Sequence, residues 1–166
     1  MRFTQPTIAQ RDEQYYVGVR TRVPMQELGS VIPPCVDEAA AWLATRGMEA
    51  TGAPLVRYHV IDMDTDLDIT VGFPVPGPER GDERIVAGVL PAGRYASLLF
   101  TGVENGTQGN GALIDWIARQ GLRMDREEGK DRDVFGGRVE SMLDGPDDDP
   151  DPSHWRTEVA IRLADD

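Results

Sequence analysis

The chain carries a diluted copy of itself, and this repeat restricts the available folds more than any other feature. The segment Trp42-Leu43-Ala44-Thr45-Arg46-Gly47 recurs as Trp116-Ile117-Ala118-Arg119-Gln120-Gly121. Each copy closes an apolar helical stripe and leads into two runs of β-forming residues. Neither helix-plus-hairpin unit can bury its own sheet face. Packed together they give an α+β fold: two pseudo-symmetric strand-helix-strand-strand repeats, an antiparallel sheet, two main helices and a central ligand cleft along the seam. The 166 residues are expected to form one domain, 1–166, with repeat one over about 15–75 and repeat two over about 84–163.

The elements follow from local pattern. After a short polar leader, Tyr15, Val17 and Val19 alternate as in a strand, which Pro24 ends. Pro33-Pro34 reads as a helix start. Val36, Ala39, Ala40 and Leu43 then recur at helical spacing, and Gly47 is the expected C-terminal cap. Leu55 to Ile61 and Leu67 to Phe73 form a hairpin around a turn rich in aspartate. The Pro/Gly-rich stretch 74–82 separates the halves. Strands at Arg84 to Leu90 and Arg94 to Phe100 follow. A Gly-rich loop leads into a second helix with Leu113, Ile114, Ile117 and Ala118 on its buried stripe and Gly121 as cap. Its partner hairpin is expected at Val134 to Leu143 and Trp155 to Leu163. The acidic loop 144–152 between these strands is expected to be mobile.

Composition excludes several functions. No window approaches the roughly 20 apolar residues of a spanning helix, and the first residues lack a secretory h-region, so neither membrane insertion nor export is expected and a cytoplasmic location is the default. Cys35 is the single cysteine, which rules out an internal disulfide and a thiolate zinc cluster. A net charge of -12 repels phosphate backbones and favours a cation. Direct nucleic-acid binding is not expected.

Most chemical motifs reduce to structure. Asp62, Asp64, Asp66 and Asp68 alternate, but an EF-hand counted from Asp62 would have Leu67 at its glycine position and Phe73 at its final carboxylate, so a charged hairpin turn is the better reading. Gly102, Gly106, Gly109 and Gly111 lie between a strand and a helix without a following lysine, which suits a connector better than a phosphate cradle. No nucleophile elbow is present, and the adjacent Ser153 and His154 say nothing about geometry. Cys35 reads as an apolar filler or, near a helix start, as a low-pKa thiolate. No cofactor or metal site is expected.

Glu140 is the more informative carboxylate. Period-two alternation puts it on the face of Arg138 and Met142, opposite Val139 and Leu143, pointing either into solvent or into whatever the other sheet face lines. Alternation alone favours solvent. Superposing Arg57-Tyr58-His59 on Arg138-Val139-Glu140 instead places His59 and Glu140 at equivalent positions looking into the seam. Tyr58, Phe73, Phe100, Trp116 and Trp155 lie on elements bordering it, as core residues or as walls of a site. Aromatic walls around one carboxylate suit a flat lipophilic cation.

The chain resembles the GyrI-like small-molecule-binding family, the effector-binding module of multidrug-responsive AraC-type and MerR-type regulators. The resemblance is carried by Gly52-Ala53-Pro54-Leu55-Val56-Arg57-Tyr58, by Asp66 to Val75, by Leu90-Pro91-Ala92-Gly93-Arg94-Tyr95-Ala96, and by Glu140 ahead of Trp155-Arg156-Thr157-Glu158-Val159. It extends from about Tyr15 to Leu163, with no DNA-binding segment ahead of it, as in a stand-alone member. The resemblance implies a cleft between two repeats in which the glutamate of an E-x-Y motif, here Glu140, recognises lipophilic cations. Met142 stands where the family has tyrosine. The family's H-x-G-x-Y stretch appears as Phe100-Thr101-Gly102-Val103-Glu104.

These features imply a binding protein for lipophilic, often cationic aromatic compounds, with Glu140, Met142, Trp155, Tyr58, His59, Phe73, Phe100 and Trp116 as site residues. The resemblance implies a second reading, a hydrolase of cyclopropane-bearing genotoxins with Glu140 as its acid or base and Trp155 as platform. It implies a gyrase-interacting inhibitor as a third.

Overall fold

In the computed structural model, which describes residues 2–62, 64–129 and 132–165, ten strands form one sheet and two helices pack on it. The first half runs β1 (Thr7–Arg11), β2 (Gln14–Val23), α1 (Leu28–Thr45), β3 (Leu55–Ile61) and β4 (Leu67–Pro74). The second runs β5 (Ile85–Leu90), β6 (Gly93–Thr101), α2 (Gly106–Arg119), β7 (Arg126–Glu128), β8 (Asp133–Phe135), β9 (Arg138–Met142) and β10 (Arg156–Arg162).

The strand order β1-β6-β10-β9-β3-β4-β2-β5 is symmetric about its middle. From the β9/β3 junction outward, each half presents a hairpin, then the strand that precedes its helix, then an edge strand. The edge strands are exchanged: β1 pairs with β6 of the second half, and β5 pairs with β2 of the first. The strand pairings are antiparallel, and at the junction Val56 lies opposite Glu140.

Both helices cover the same face. Val17, Val19 and Val23 of β2, Ile69 and Val71 of β4, and Val56 and Tyr58 of β3 pack beneath Ala39, Trp42 and Leu43 of α1. Ala96, Leu98 and Phe100 of β6 and Val159 and Ile161 of β10 pack beneath Leu113 and Ile117 of α2. The opposite face carries a smaller cluster of Tyr16, Leu55, Leu90, Tyr95, Val139 and Ala160. There Arg57 spans the sheet, donating from Nη1 to the Tyr16 hydroxyl and the Val89 carbonyl and from Nη2 to the Gly136 carbonyl. Its aliphatic stem covers apolar surface that has no helix above it.

The repeat seen in the sequence is reproduced at the helix ends. Gly47 and Gly121 adopt φ of 64° and 71°, the left-handed conformation that glycine enters most easily. Gly47 N donates to Ala44 O and Met48 N to Leu43 O; at the second copy Gly121 N donates to Ala118 O and Leu122 N to Ile117 O.

Several expectations are corrected. Helix α1 begins at Leu28, and Pro33 and Pro34 lie inside it. The carbonyls they leave without a helical donor belong to Gly29 and Ser30, both on the exposed side, where solvent reaches them. The polar leader contains β1, an exposed edge strand that shows no apolar alternation. Gly106, Gly109 and Gly111 lie within α2 rather than in a loop. A Cβ on Gly109 would sit 3.0 Å from the Phe100 side chain, so its absence lets α2 rest closely on β6. Ala40 and Ala118, expected on buried stripes, are exposed. The Val134 to Leu143 run is divided at Gly136-Gly137 into β8 and β9, both paired with β3. Trp155 precedes β10 as the end of a short 3-10 turn. The acidic loop carries contacts made by its own aspartates. Asp144 pairs with Arg156 at 2.8 Å, Asp149 accepts from Asp151 N, and Asp151 caps the turn at Ser153.

Among the described residues, no helix is long and apolar enough to cross a membrane.

Candidate functional site

Glu140 stands where the two helix-covered clusters meet. Its cross-strand neighbours on the same face are Val159 of β10 and Val56 of β3. These are 0% and 1% exposed, whereas Glu140 itself is half-buried. The carboxylate therefore interrupts an otherwise apolar row across three strands. Alternation misjudged its surroundings because both faces of β9 are covered: Val139 belongs to the cluster on the far face, and Glu140 looks towards the helices.

The carboxylate is held from both halves. Tyr58 of β3 donates its hydroxyl to Oε1 at 2.5 Å, and Asn110 of α2 donates Nδ2 to Oε2 at 3.0 Å. Arg138, two residues before Glu140 on the same face, donates Nη2 to Asn110 Oδ1 at 2.9 Å. The Asn110 carboxamide thus links an acid and a base. Burial, followed by the adjacent Glu140 charge, raises the Tyr58 pKa well above that of a free phenol, so Tyr58 remains a proton donor. Burial pushes the Arg138 pKa down, opposed by Glu140.

The residues expected at the site sort into groups. Glu140, Tyr58 and Met142 share the seam, with Met142 packed against the α1 cluster. Met142 occupies the place of the motif tyrosine, and a phenol reaches Glu140 from Tyr58 on the neighbouring strand instead. Phe73 packs under α1, and Phe100 is buried under α2. Trp116 is half-buried against the α2 cluster, and the Trp155 indole donates to Asp149 O at 2.7 Å. Asn110 was not foreseen, since its Gly-rich surroundings read as a connector. Arg138 was placed on the right face but given no role.

His59 lies elsewhere. A bulge between Tyr58 and Val60 interrupts the pairing of β3 with β4, and His59 Nε2 sits 2.8 Å from Thr70 Oγ1 on the face away from the helices. The residue opposite Glu140 across the seam is Val56. Burial, aided by Arg57 and Arg20, lowers the His59 pKa from 6.5 to about 4. An unfolded His59 therefore gains a proton as pH falls through 6.5, while the folded one resists until about 4, so stability present at neutral pH is lost across that window and levels off below it. Partial exposure limits the loss to about 1–2 kcal/mol. Between about pH 7 and about pH 4.5 the unfolding free energy from denaturant titration should fall further in the wild type than in His59→Gln by that amount; equal falls would remove His59 as the cause.

Other candidates contribute structure. Cys35 is buried in α1 and burial raises its pKa, the reverse of an activated thiolate. Trp42 donates its indole N–H to Asp82 at 2.9 Å, tying the inter-half linker to α1. Among the described residues, no group of three or more His, Cys, Asp or Glu could hold a metal. A groove of about 510 Å³ opens on the face away from Glu140, with Leu55, Leu90, Tyr95 and Val139 in its lining. At its rim Arg11 and Glu158 pair at 3.1 Å.

With this geometry in place, the chain can be compared with known proteins. It matches the GyrI-like small molecule binding domain over residues 4–164. The chain belongs to the GyrI-like family. Among curated proteins, none shows a significant sequence match. The C-terminal domain of EcmrR superposes with a TM-score of 0.74 at 18% identity, covering 100% of both chains. In the EcmrR–DNA complex the TM-score is 0.78 at 19% identity, and this chain spans only 59% of the EcmrR chain. SAV2435 bound to tetraphenylphosphonium gives a TM-score of 0.61 at 12% identity over 97% of this chain and 94% of that one. A hydrolase from Listeria innocua gives 0.60 at 13% identity over 96% and 92%. At these identities the likeness is one of fold. The antiparallel sheet with its two main helices matches the fold of these neighbours.

Proposed function

We propose that this GyrI-like chain is a small-molecule receptor that holds lipophilic aromatic compounds bearing a cationic group at Glu140, in the seam between α1 and α2. The observation that carries the reading is a half-buried carboxylate set between Val56 and Val159, in a row that is otherwise apolar. Low local polarity strengthens attraction to a cation, while the flanking apolar clusters suit an aromatic body. Tyr58 and Asn110 fix the carboxylate in advance, so little reorganisation accompanies binding. The reading treats about residues 15–75 and 84–163 as two repeats of one domain. The ligand of SAV2435, tetraphenylphosphonium, belongs to the proposed class. A net charge of -12 supports a role in holding the ligand rather than in contacting DNA.

Hydrolysis is the second reading, favoured by the Tyr58–Glu140 pair and by the Listeria innocua hydrolase of like fold. In that case Glu140 would accept a proton from attacking water and Tyr58 would orient the carboxylate. Incubation with a cyclopropane-bearing DNA alkylator separates the two. A receptor returns the compound unchanged from a stoichiometric complex. Ring-opened, hydrated product formed over many turnovers and lost in Glu140→Gln would establish the hydrolase instead.

A further inference from the structure

The seam holds a second ion that a simple cation receptor does not need. Arg138 is 8% exposed and lies on the same face as Glu140, with its guanidinium 4.7 Å from the Phe135 ring. Among the described residues, Asn110 Oδ1 is its recorded hydrogen-bond acceptor, and its Nε is buried without one. An arginine offers five N–H donors, and a buried guanidinium with unmatched donors is costly. A bare cation drawn to Glu140 would also meet the Arg138 charge, which offsets part of the attraction. A ligand that brought an acceptor with it would turn that repulsion into a charge-assisted hydrogen bond.

We infer that the seam is a dipolar site whose ligand is a zwitterionic aromatic amphiphile, with its cationic group on Glu140 and an anionic group on Arg138. The inference rests on the seam being the ligand site, and it assigns Arg138 as the residue that sets specificity. Asn110 bridges the two charges and keeps their spacing, so the site recognises a ligand whose own charges are separated by a short linker.

A matched pair of probes tests this: benzyldimethylammonium propanesulfonate and benzyldimethylpropylammonium, which differ in the terminal sulfonate. Titration of the wild-type protein should show the zwitterion binding roughly tenfold more tightly. In Arg138→Met the zwitterion should lose that advantage, while the cation should bind as well as before or better. Wild-type protein that binds the cation at least as tightly as the zwitterion overturns the inference, and this comparison stands even if Arg138→Met fails to fold. Glu140→Gln distinguishes the two levels. If it weakens both probes and neither is preferred by the wild type, the dipolar inference falls and the seam remains the site. If it affects neither probe, both readings fall.

Discussion

Replacing Glu140 by glutamine is expected to weaken tetraphenylphosphonium binding by about 1–3 kcal/mol, roughly 5- to 150-fold, as for loss of a charge-assisted contact in a partly desolvated site. Glutamine keeps the size of the side chain and can still accept from Tyr58, so folding should be preserved, while the charge is lost together with the hydrogen bond accepted from Asn110. A neutral aromatic of similar bulk, such as triphenylmethanol, should bind the variant and the wild type alike. Calorimetric titration of both ligands checks this. Equal losses for the two would show that shape, and not the carboxylate, discriminates between them.

The largest effect on stability is expected from Gly72→Ala. Gly72 of β4 lies directly opposite Gly18 of β2. A Cβ at this position would fall within the van der Waals envelope of the Val17 carbonyl oxygen and approach the Gly18 Cα. The obstacle is backbone in a strand hydrogen-bonded on both sides, so relief requires β2 and β4 to separate beneath α1. The cost should reach the upper end of overpacking, about 3 kcal/mol or more, and lower Tm by roughly 10 °C. Gly145 has open space around its Cβ position, so Gly145→Ala should be close to neutral. Thermal denaturation of both variants tests the contrast, and a Gly72→Ala protein that melts within about 2 °C of the wild type would show that the two strands can part at little cost.

The parts of this fold that were legible in the sequence are those where one chemical requirement dominates. The β3–β4 hairpin was readable to within a residue at each end, because its β-rich runs flank a turn rich in aspartate. The helix ends were readable because Gly47 and Gly121 each meet a need for positive φ. Strand β1 was not, since an exposed edge needs no apolar alternation. The start of α1 was hidden by Pro33 and Pro34, which are tolerated inside it because the carbonyls they strand face outward. For the site, Glu140 was identified through its motif, but its face could not be read from a strand covered on both sides. His59 was put in the seam by a superposition out of phase by one residue: it matched Tyr58, which faces the helices, to Val139, which faces the other way. Asn110 reaches Glu140 from 30 positions away, a contact that depends on how α2 lies across the sheet and that no local pattern encodes.

A crystal structure of the protein with bound tetraphenylphosphonium tests the assignment of the seam most directly. The cation is expected between α1 and α2, with the Glu140 carboxylate as its nearest charge, Tyr58 beside it and Val56 and Val159 beneath. A cation seated instead in the groove of Leu55, Leu90, Tyr95 and Val139 on the opposite face, with the Tyr58–Glu140–Asn110 contacts undisturbed, would contradict it.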